Sequence, residues 1–240
     1  MYDNFPGLKA QLRALSLKNY LEFGCGRGVF LKLVLDNNST WQTITAVDID
    51  ESAIRQTREL LADYNINYII NHTLPLPVED AAFDTITLSN VLHHLQDKTG
   101  TLQELYRILK PDGRLVVSEM IPHQLSAAEQ VHQDFHNLRV KIERHKHNFH
   151  DAAYSEQQIL SCLESAGFKP GGTALFHEER ENVRDPAEIR QMSDFIDRQV
   201  SDVDDPAMQE ELSAFAAGLK ARLQTHGVKR TPQFFVVAVK

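Results

Sequence analysis

The chain has 240 residues, of which 42% are hydrophobic and 24% charged, and its formal net charge is −8. This composition is sufficient for one well-packed core, and the acidic balance without a block of Lys and Arg disfavours a nucleic-acid-binding surface. We find no apolar run of membrane-spanning length, no signal peptide before the first strand, and no disulfide framework in two cysteines. These features favour a cytoplasmic protein without a membrane partner.

The first predicted strand, residues 19–23, runs into a glycine-rich turn and then into a helix over residues 28–35. Gly24, Gly26 and Gly28 occupy alternate positions in this turn. Because glycine has no Cβ, the backbone can adopt positive φ and a ligand can lie against the peptide planes. The helix directs its first N–H groups toward the same place. The pattern predicts a nucleotide-like ligand, although a purely structural tight turn can have the same glycines.

A carboxylate follows the second predicted strand, residues 43–47. Asp48 is placed to accept hydrogen bonds from a ribose diol. A dinucleotide fingerprint would need its third glycine at Val29, but that glycine is Gly28. Glu22 would repel a pyrophosphate and attract a cationic ligand. S-adenosylmethionine (SAM) has a ribose, an adenine, an ammonium and a sulfonium but no phosphate, so it fits better than a nicotinamide dinucleotide.

Four stretches of the sequence resemble the motifs of class I SAM-dependent methyltransferases, above all the ubiquinone/menaquinone-type (methyltransferase type 11) subgroup. The stretches lie at residues 22–28, 46–50, 83–84 with 89–95, and 109–115, and the resemblance covers about residues 18–120. It implies a Rossmann-like α/β fold whose seven-stranded, mostly parallel sheet has an antiparallel last strand. The resemblance is specific for the cofactor but not for the methyl acceptor.

The remaining predicted elements alternate between helices and strands, as in a parallel sheet covered on both faces. Asp50 is expected to be the N-cap of the helix after the second strand. A turn at residues 110–113 should separate the fourth helix from the fifth strand, because Pro ends the helix and Gly permits the reversal. The predicted helices cover residues 51–64, 101–109 and 155–166, and the predicted strands cover residues 66–71, 83–89 (the central strand), 114–120, 171–177 and 234–239.

The expected cofactor-binding residues follow the carboxyl ends of the first four strands. Relatives usually have an Asp after the third strand that accepts from the adenine amino group, whereas this chain has Asn71, His72 and Thr73 there. Asn71 or a neutral His72 could accept that hydrogen bond, and the sequence leaves the choice among the three open. The cofactor-binding set is Glu22, Gly24, Cys25, Gly26, Asp48, Ile49, Asn71, His72, Thr73 and Asn90.

Two helical inserts complete the expected single methyltransferase domain of residues 1–240. The insert at about residues 121–152 leaves the carboxyl end of the fifth strand and should therefore cover the ligand crevice. The insert at about residues 185–226, between the last two strands, is an amphipathic helical hairpin in which each helix begins with Asp-Pro. Ordinary packing, a pocket wall and a homodimer contact are the three roles open to this hairpin.

Histidines in and after the first insert raise the question of a metal. His132 and His136 have the spacing of paired metal ligands, but Gln133 stands where the zinc-protease motif requires Glu. No cysteine pair or carboxylate cluster completes a site. We therefore expect no metal.

The predicted function is methyl transfer from SAM to a small-molecule acceptor by in-line displacement, with S-adenosylhomocysteine as the product. An oxygen, nitrogen or carbon acceptor would need a base, for which histidine is suited, whereas a sulfur acceptor would need less help. The candidates are His150, at the turn where the first insert bends back, and His94, after the central strand. His150 with Tyr154 also resembles an arrangement common in the subgroup.

The sequence also predicts roles for three residues near these candidates. His93 is expected to be a packed or helix-capping histidine, whereas Glu119 and His123 are further titratable residues on the acceptor side. Two alternatives to the predicted function stay open: a SAM-binding regulator or pseudoenzyme, and a nicotinamide-dependent oxidoreductase, which Val29 and Glu22 disfavour.

Overall fold

The computed structural model describes residues 4–240, and the chain forms two compact units. The sheet unit comprises the chain up to Glu119 together with Glu156–Phe176 and Gln233–Lys240. The helical unit comprises Met120–Ser155 and His177–Pro232. None of the helices within residues 4–240 is long and apolar enough to cross a membrane.

The sheet unit is built on seven strands in the order β3-β2-β1-β4-β5-β7-β6. The pairs β1–β2, β1–β4, β2–β3 and β4–β5 are parallel, whereas β6 and β7 are antiparallel. This confirms the predicted fold class, including the central position of β4. The strands are β1 (Lys18–Phe23), β2 (Trp41–Asp48), β3 (Asn67–Ile70), β4 (Phe83–Ser89), β5 (Leu109–Met120), β6 (Lys169–Phe176) and β7 (Gln233–Val239).

Helices of the sheet unit connect these strands. Asp50 accepts a hydrogen bond from the backbone N–H of Ser52, which confirms its predicted N-cap role and satisfies one of the unpaired N–H groups of the first turn. Apolar side chains of β1, β2 and the first two helices form one buried core with Phe235 of β7. The helices are α1 (Pro6–Arg13), α2 (Val29–Asn37), α3 (Glu51–Leu60), α4 (Lys98–Ile108) and α6 (Glu156–Ser165), and a single 3₁₀ turn spans Leu92–His94.

One predicted turn is wrong. Residues 110–113 were expected between α4 and β5, but β5 begins at Leu109, directly after α4. The pairing advances by two residues on β4, from Phe83 to Thr85, while it advances by five on β5, from Leu109 to Arg114. Proline and glycine therefore produce an irregularity within the strand rather than a separate turn, as is common where one partner of a strand pair carries extra residues.

The helical unit contains three long helices with a shared apolar core. These helices are α5 (Ala127–His145), α7 (Pro186–Ser201) and α8 (Pro206–His226). Val131 and Leu138 of α5 pack in one cluster with Ile196 of α7 and Leu219 of α8. The amphipathic faces predicted for the hairpin helices α7 and α8 are thus faces that pack in this core.

The two Asp-Pro starts of the hairpin are confirmed as helix N-termini. Asp185 accepts from the N–H groups of Ala187 and Glu188, and Asp205 does the same one helix later, with proline at the first helical position each time. The inserts at residues 121–152 and 185–226 both lie within the helical unit. Their role as covers of a single domain stays a prediction.

Candidate functional site

The loop between β1 and α2 has an unusual backbone that its glycines permit. Gly24, Gly26 and Gly28 have φ angles of 70°, 52° and 76°, in the left-handed region that side chains disfavour. The N–H groups of Gly24 and Cys25 both donate to the carbonyl of Val47, at 2.8 and 3.0 Å. The loop is therefore attached to the end of the neighbouring strand β2.

Only the second of these glycines faces open space. A Cβ on Gly24 would lie 2.5 Å from Cγ2 of Val91, and a Cβ on Gly28 would lie 2.8 Å from Cγ2 of Thr57. A Cβ on Gly26 would meet no atom within 4 Å in residues 4–240. The first and third glycines thus permit close packing, while Gly26 presents its backbone to a position that a ligand can fill.

The Asp48 side chain is hydrogen-bonded to the loop at this open position. Its Oδ2 accepts the N–H of Gly26 at 2.7 Å, and its Oδ1 accepts the N–H of Asp50 at 2.9 Å. The side chain is half-buried, and a carboxylate oxygen can accept a second hydrogen bond. Asp48 can therefore hold the loop and accept from a ribose hydroxyl at the same time.

Glu22 lies buried next to the loop, only 1% exposed. Its Oε2 accepts hydrogen bonds from the hydroxyls of Tyr20, at 2.6 Å, and of Thr87. Burial raises the pKa of Glu22 to about 7, and the two hydroxyls oppose this shift. Burial next to Glu22 also raises the pKa of Tyr20 well above its ordinary value.

Tyr20 and Thr87 were not singled out in the sequence. Strand alternation gives one available signal, because Tyr20 and Glu22 are two residues apart and so share a face of β1. The place of Thr87 opposite Glu22 depends on the order of strands in the sheet, which spacing alone does not give.

Cys25 contributes to the site through its main chain. Its side chain is 5% exposed, and burial raises the pKa of the thiol to about 12. The thiol is therefore protonated and buried within the core of the sheet unit.

The expected adenine end of the site has one exposed apolar residue and three polar ones. Ile49 is 63% exposed immediately after Asp48, and His72 and Thr73 are exposed as well. The amide nitrogen of Asn71 donates to the carbonyl of Thr73, and its backbone N–H donates to the carbonyl of Asp48 at 3.1 Å. The Asn71 carboxamide is thereby held at the carboxyl ends of β2 and β3.

Asn90 follows β4 in a left-handed conformation, with φ of 52°. Its N–H donates to the carbonyl of Ser118 at 2.8 Å, and its amide nitrogen donates to Oε1 of Gln233 at 3.3 Å. Asparagine tolerates this conformation better than most residues. The structure thus ties the predicted residue to β5 and β7, and Gln233 was not anticipated.

The two histidines after β4 differ in their surroundings. His94 is exposed, and its ring lies 4.3 Å, centroid to centroid, from that of His93. His93 is buried, as expected for a packed residue, but its ring nitrogen contacts the buried carboxylate of Glu119. The sequence did not predict this contact between His93 and Glu119, although both residues stand at the carboxyl ends of strands.

His150 belongs to the helical unit, whereas the other predicted site residues belong to the sheet unit. It is 2% exposed, its ring centroid lies 5.0 Å from that of His136, and its carbonyl accepts from Nε of Arg144 at 2.8 Å. His132 instead accepts the N–H of Thr231 at Nδ1, which also lies 3.0 Å from the Thr231 hydroxyl. His136 therefore packs against His150, while His132 is bound to Thr231.

Sequence comparison finds a related family and curated relatives. The model of a family described as a methyltransferase domain matches residues 5–193. The ubiquinone/menaquinone biosynthesis C-methyltransferase UbiE of Proteus mirabilis (strain HI4320) is 33% identical over 115 residues, which are 45% of this chain and 44% of that protein. The match thus spans less than half the length of this curated relative.

Solved structures share the fold at low identity. A crystal structure from Bacillus halodurans C-125 is 19% identical with a TM-score of 0.64, covering 97% of this chain and 98% of that one. An S-adenosylmethionine-dependent methyltransferase from Mesorhizobium loti is 18% identical with a TM-score of 0.56, covering 98% and 96%. At these identities the likeness shows the fold and not the activity.

Proposed function

Because the chain belongs to the methyltransferase-domain family, we propose that it transfers a methyl group from SAM to a small-molecule acceptor. The observation that carries this proposal is the open position over Gly26, where the backbone has positive φ and the Asp48 carboxylate stands beside it. When bound, SAM supplies an already activated methyl group. The protein would then contribute orientation and a water-poor site.

The hydrogen bonds of the glycine loop favour SAM over a nicotinamide dinucleotide. The N–H groups of Gly24, Cys25, Gly26 and Gly28 all donate within the chain. A pyrophosphate bound at such a loop would require free N–H donors, and it would also approach the carboxyl of Glu22. A ligand with a ribose diol and no phosphate makes neither demand.

The cofactor contacts that we propose follow from these positions. Asp48 accepts from the ribose diol, and the exposed side chain of Ile49 packs on the adenine. Asn71 is the favoured adenine contact over His72 and Thr73, because its amide nitrogen is directed to the Thr73 carbonyl and its oxygen is the acceptor that an amino group needs.

The remaining contacts involve the methionine end of the cofactor. Gly24, the main chain of Cys25, and Gly26 would line its path along the loop, and Asn90 would bind it from the end of β4. Glu22 would contribute as a buried carboxyl beside the loop, held there by hydrogen bonds from two hydroxyls.

On the acceptor side, we propose that residues 121–152 and 185–226 cover the site, and His150 and His94 are candidates for the proton acceptor. A homodimer contact through residues 185–226 is supported by Phe195, which is 39% exposed on α7. Sedimentation velocity tests this contact: a concentration-dependent dimer that Phe195→Glu abolishes is expected, and a wild-type monomer at every concentration contradicts it.

The acidic net charge supports a small-molecule acceptor rather than nucleic acid, and no membrane partner is proposed. The free cysteines Cys25 and Cys162 are consistent with a cytoplasmic location. A SAM-binding regulator without turnover is the alternative function, because the cofactor residues alone do not distinguish the two.

Two measurements test the proposal in sequence. Calorimetric titration with SAM and with NADH should show binding of SAM alone, and tight NADH binding would contradict the cofactor assignment. Incubation with SAM carrying a trideuterated methyl group and a small-molecule cell extract should then yield labelled products by mass spectrometry. SAM binding without any labelled product would favour the regulator.

A further inference from the structure

A buried histidine–carboxylate pair lies at the carboxyl ends of β4 and β5. His93 and Glu119 are 3% and 1% exposed, and Nδ1 of His93 lies 2.8 Å from Oε2 of Glu119. The second oxygen, Oε1, accepts the backbone N–H of Leu92 at 2.7 Å. Both oxygens of Glu119 therefore hold the same 3₁₀ turn, and the imidazole has one fixed orientation relative to the sheet.

This turn begins beside the glycine loop. The methyl carbon of Val91 that would lie 2.5 Å from a Cβ on Gly24 belongs to the residue just before the turn, two positions from His93. Strand β4, which the turn follows, pairs with β1, and the loop follows β1. The pair thus stands on the same edge of the sheet as the proposed cofactor contacts.

The contact with Glu119 determines which ring nitrogen of His93 carries the proton. A carboxylate only accepts hydrogen bonds, so Nδ1 must donate and, in the neutral imidazole, Nε2 carries the lone pair. A carboxylate at Nδ1 also stabilises the imidazolium that forms when Nε2 takes a proton. Burial alone would require a hydrogen-bond partner for Nδ1, and a general base also requires a lone pair on Nε2 and a partner that stabilises the charge it gains.

We propose that His93 is the base that removes the proton from the methyl acceptor and that Glu119 is the residue that positions it. The proposal rests on the methyl-transfer function above and adds a candidate that the sequence did not favour. His94 is exposed beside this pair, and His93 is the histidine that contacts Glu119.

The step balances for an acceptor with an O–H, N–H or acidic C–H group. The lone pair of Nε2 takes the proton, and the electron pair released on the acceptor forms the bond to the methyl carbon. The bond between that carbon and sulfur breaks with its electrons going to sulfur, which becomes a neutral thioether. The proton then leaves His93 for solvent, and the Glu119 carboxylate keeps its charge throughout.

His93→Asn separates a catalytic role from a structural one. The asparagine amide nitrogen can occupy the position of Nδ1 and donate to Glu119, but the variant has no counterpart of Nε2. The asparagine should therefore preserve a structural role of residue 93, whereas it cannot act as a base. We expect unchanged SAM affinity and a fall in turnover of roughly 10²–10⁴-fold on the acceptor found by labelling.

The tautomer provides a readout that does not depend on the acceptor. Long-range ¹H–¹⁵N spectra of the SAM-bound protein should show His93 protonated at Nδ1, with the signal assigned by its loss in His93→Asn. Glu119→Gln should weaken this preference and slow turnover, and it carries the test if His93→Asn fails to fold. Protonation at Nε2 in the wild type, or wild-type turnover in His93→Asn, overturns the proposal.

The failures of the two proposals are distinguishable. If wild-type protein does not bind SAM, the cofactor assignment fails and the base fails with it. If it binds SAM and methylates nothing, methyl transfer and the base are both contradicted while the cofactor site stands. If it methylates an acceptor at a rate that His93→Asn does not change, the proposed base alone is wrong.

Discussion

In the sheet unit, burial raises the pKa of the Glu22 carboxyl to about 7, whereas in the helical unit burial lowers the pKa of the His132 imidazole to about 3. Each shift disfavours the charged form, and the cations Arg230 and Arg139 add to the effect on His132. The hydrogen-bond partners of the two side chains differ. Glu22 is bonded to two hydroxyls beside a loop with an open position, whereas His132 is bonded to Thr231.

This difference distinguishes two roles of partly or fully buried polar side chains. Around the glycine loop, the Asp48 carboxylate stands beside a position that residues 4–240 leave open at Gly26, and Glu22 lies buried two residues before the loop. In the helical unit, His132 joins α5 to the segment before β7, and the apolar faces of three helices supply the core. Cofactor binding should therefore depend on the sheet unit, and changes within the helical core should act on stability first.

The largest expected effect is a cavity in the helical core. Leu219 is fully buried on α8, so Leu219→Ala should lower the free energy of unfolding by about 2–5 kcal/mol, measured by urea denaturation. Glu210→Ala, at an exposed position of the same helix, is the matched control. SAM affinity in the folded variant should equal that of the wild type. A parallel loss of SAM affinity would contradict the claim that cofactor binding depends on the sheet unit and not on the helical core.

The next effect concerns the proton on Glu22. Because the folded protein binds this proton more tightly than the unfolded chain, its contribution to stability is complete below pH 4.5 and is lost as the pH rises through about 7. Wild-type protein should therefore lose about 3 kcal/mol relative to Glu22→Gln across this window. Parallel stability curves for the two proteins between pH 4.5 and 8 would show that Glu22 titrates normally.

The helical unit should show the opposite dependence through His132. Its pKa is lowered on folding, so its contribution is present above pH 6.5 and is lost as the pH falls toward about 3. His132→Asn keeps an acceptor for the Thr231 N–H without the titration. Denaturation at pH 8 and pH 5 should show the wild type losing on the order of 1–3 kcal/mol relative to this variant. Equal losses in both proteins would contradict the assignment.

The smallest effect on stability is expected at Gly26. Gly26→Ala places a methyl group in open space, so the change should cost only the left-handed backbone, about 1–2 kcal/mol. Gly24→Ala has the same backbone cost and also collides with Val91, so it should destabilise the fold more. In contrast, SAM affinity should fall in Gly26→Ala because the methyl group occupies the ligand position. Equal stability losses in the two variants would contradict the different roles of these glycines.

Features that depend on neighbouring residues could be predicted from the sequence. The glycine loop, the Asp50 cap and the Asp-Pro helix starts each depend on the conformation of a few consecutive residues. The order of strands in the sheet could not be predicted in this way, because the spacing of strands along the chain does not show which strands pair. The hydroxyl of Thr87 on Glu22 and the contact between His93 and Glu119 both require residues from different strands, so they became visible only in the fold.

Calorimetric titration of SAM into wild-type protein, Asp48→Ala and Asp50→Ala tests the central claim most directly. The two aspartates stand two residues apart, and of the two only the Asp48 side chain is hydrogen-bonded to Gly26. SAM should bind the wild type and Asp50→Ala equally. Asp48→Ala should lose about 1–3 kcal/mol, roughly 5- to 150-fold in affinity. Equal affinity of SAM for Asp48→Ala and the wild type would contradict the cofactor site described at this loop.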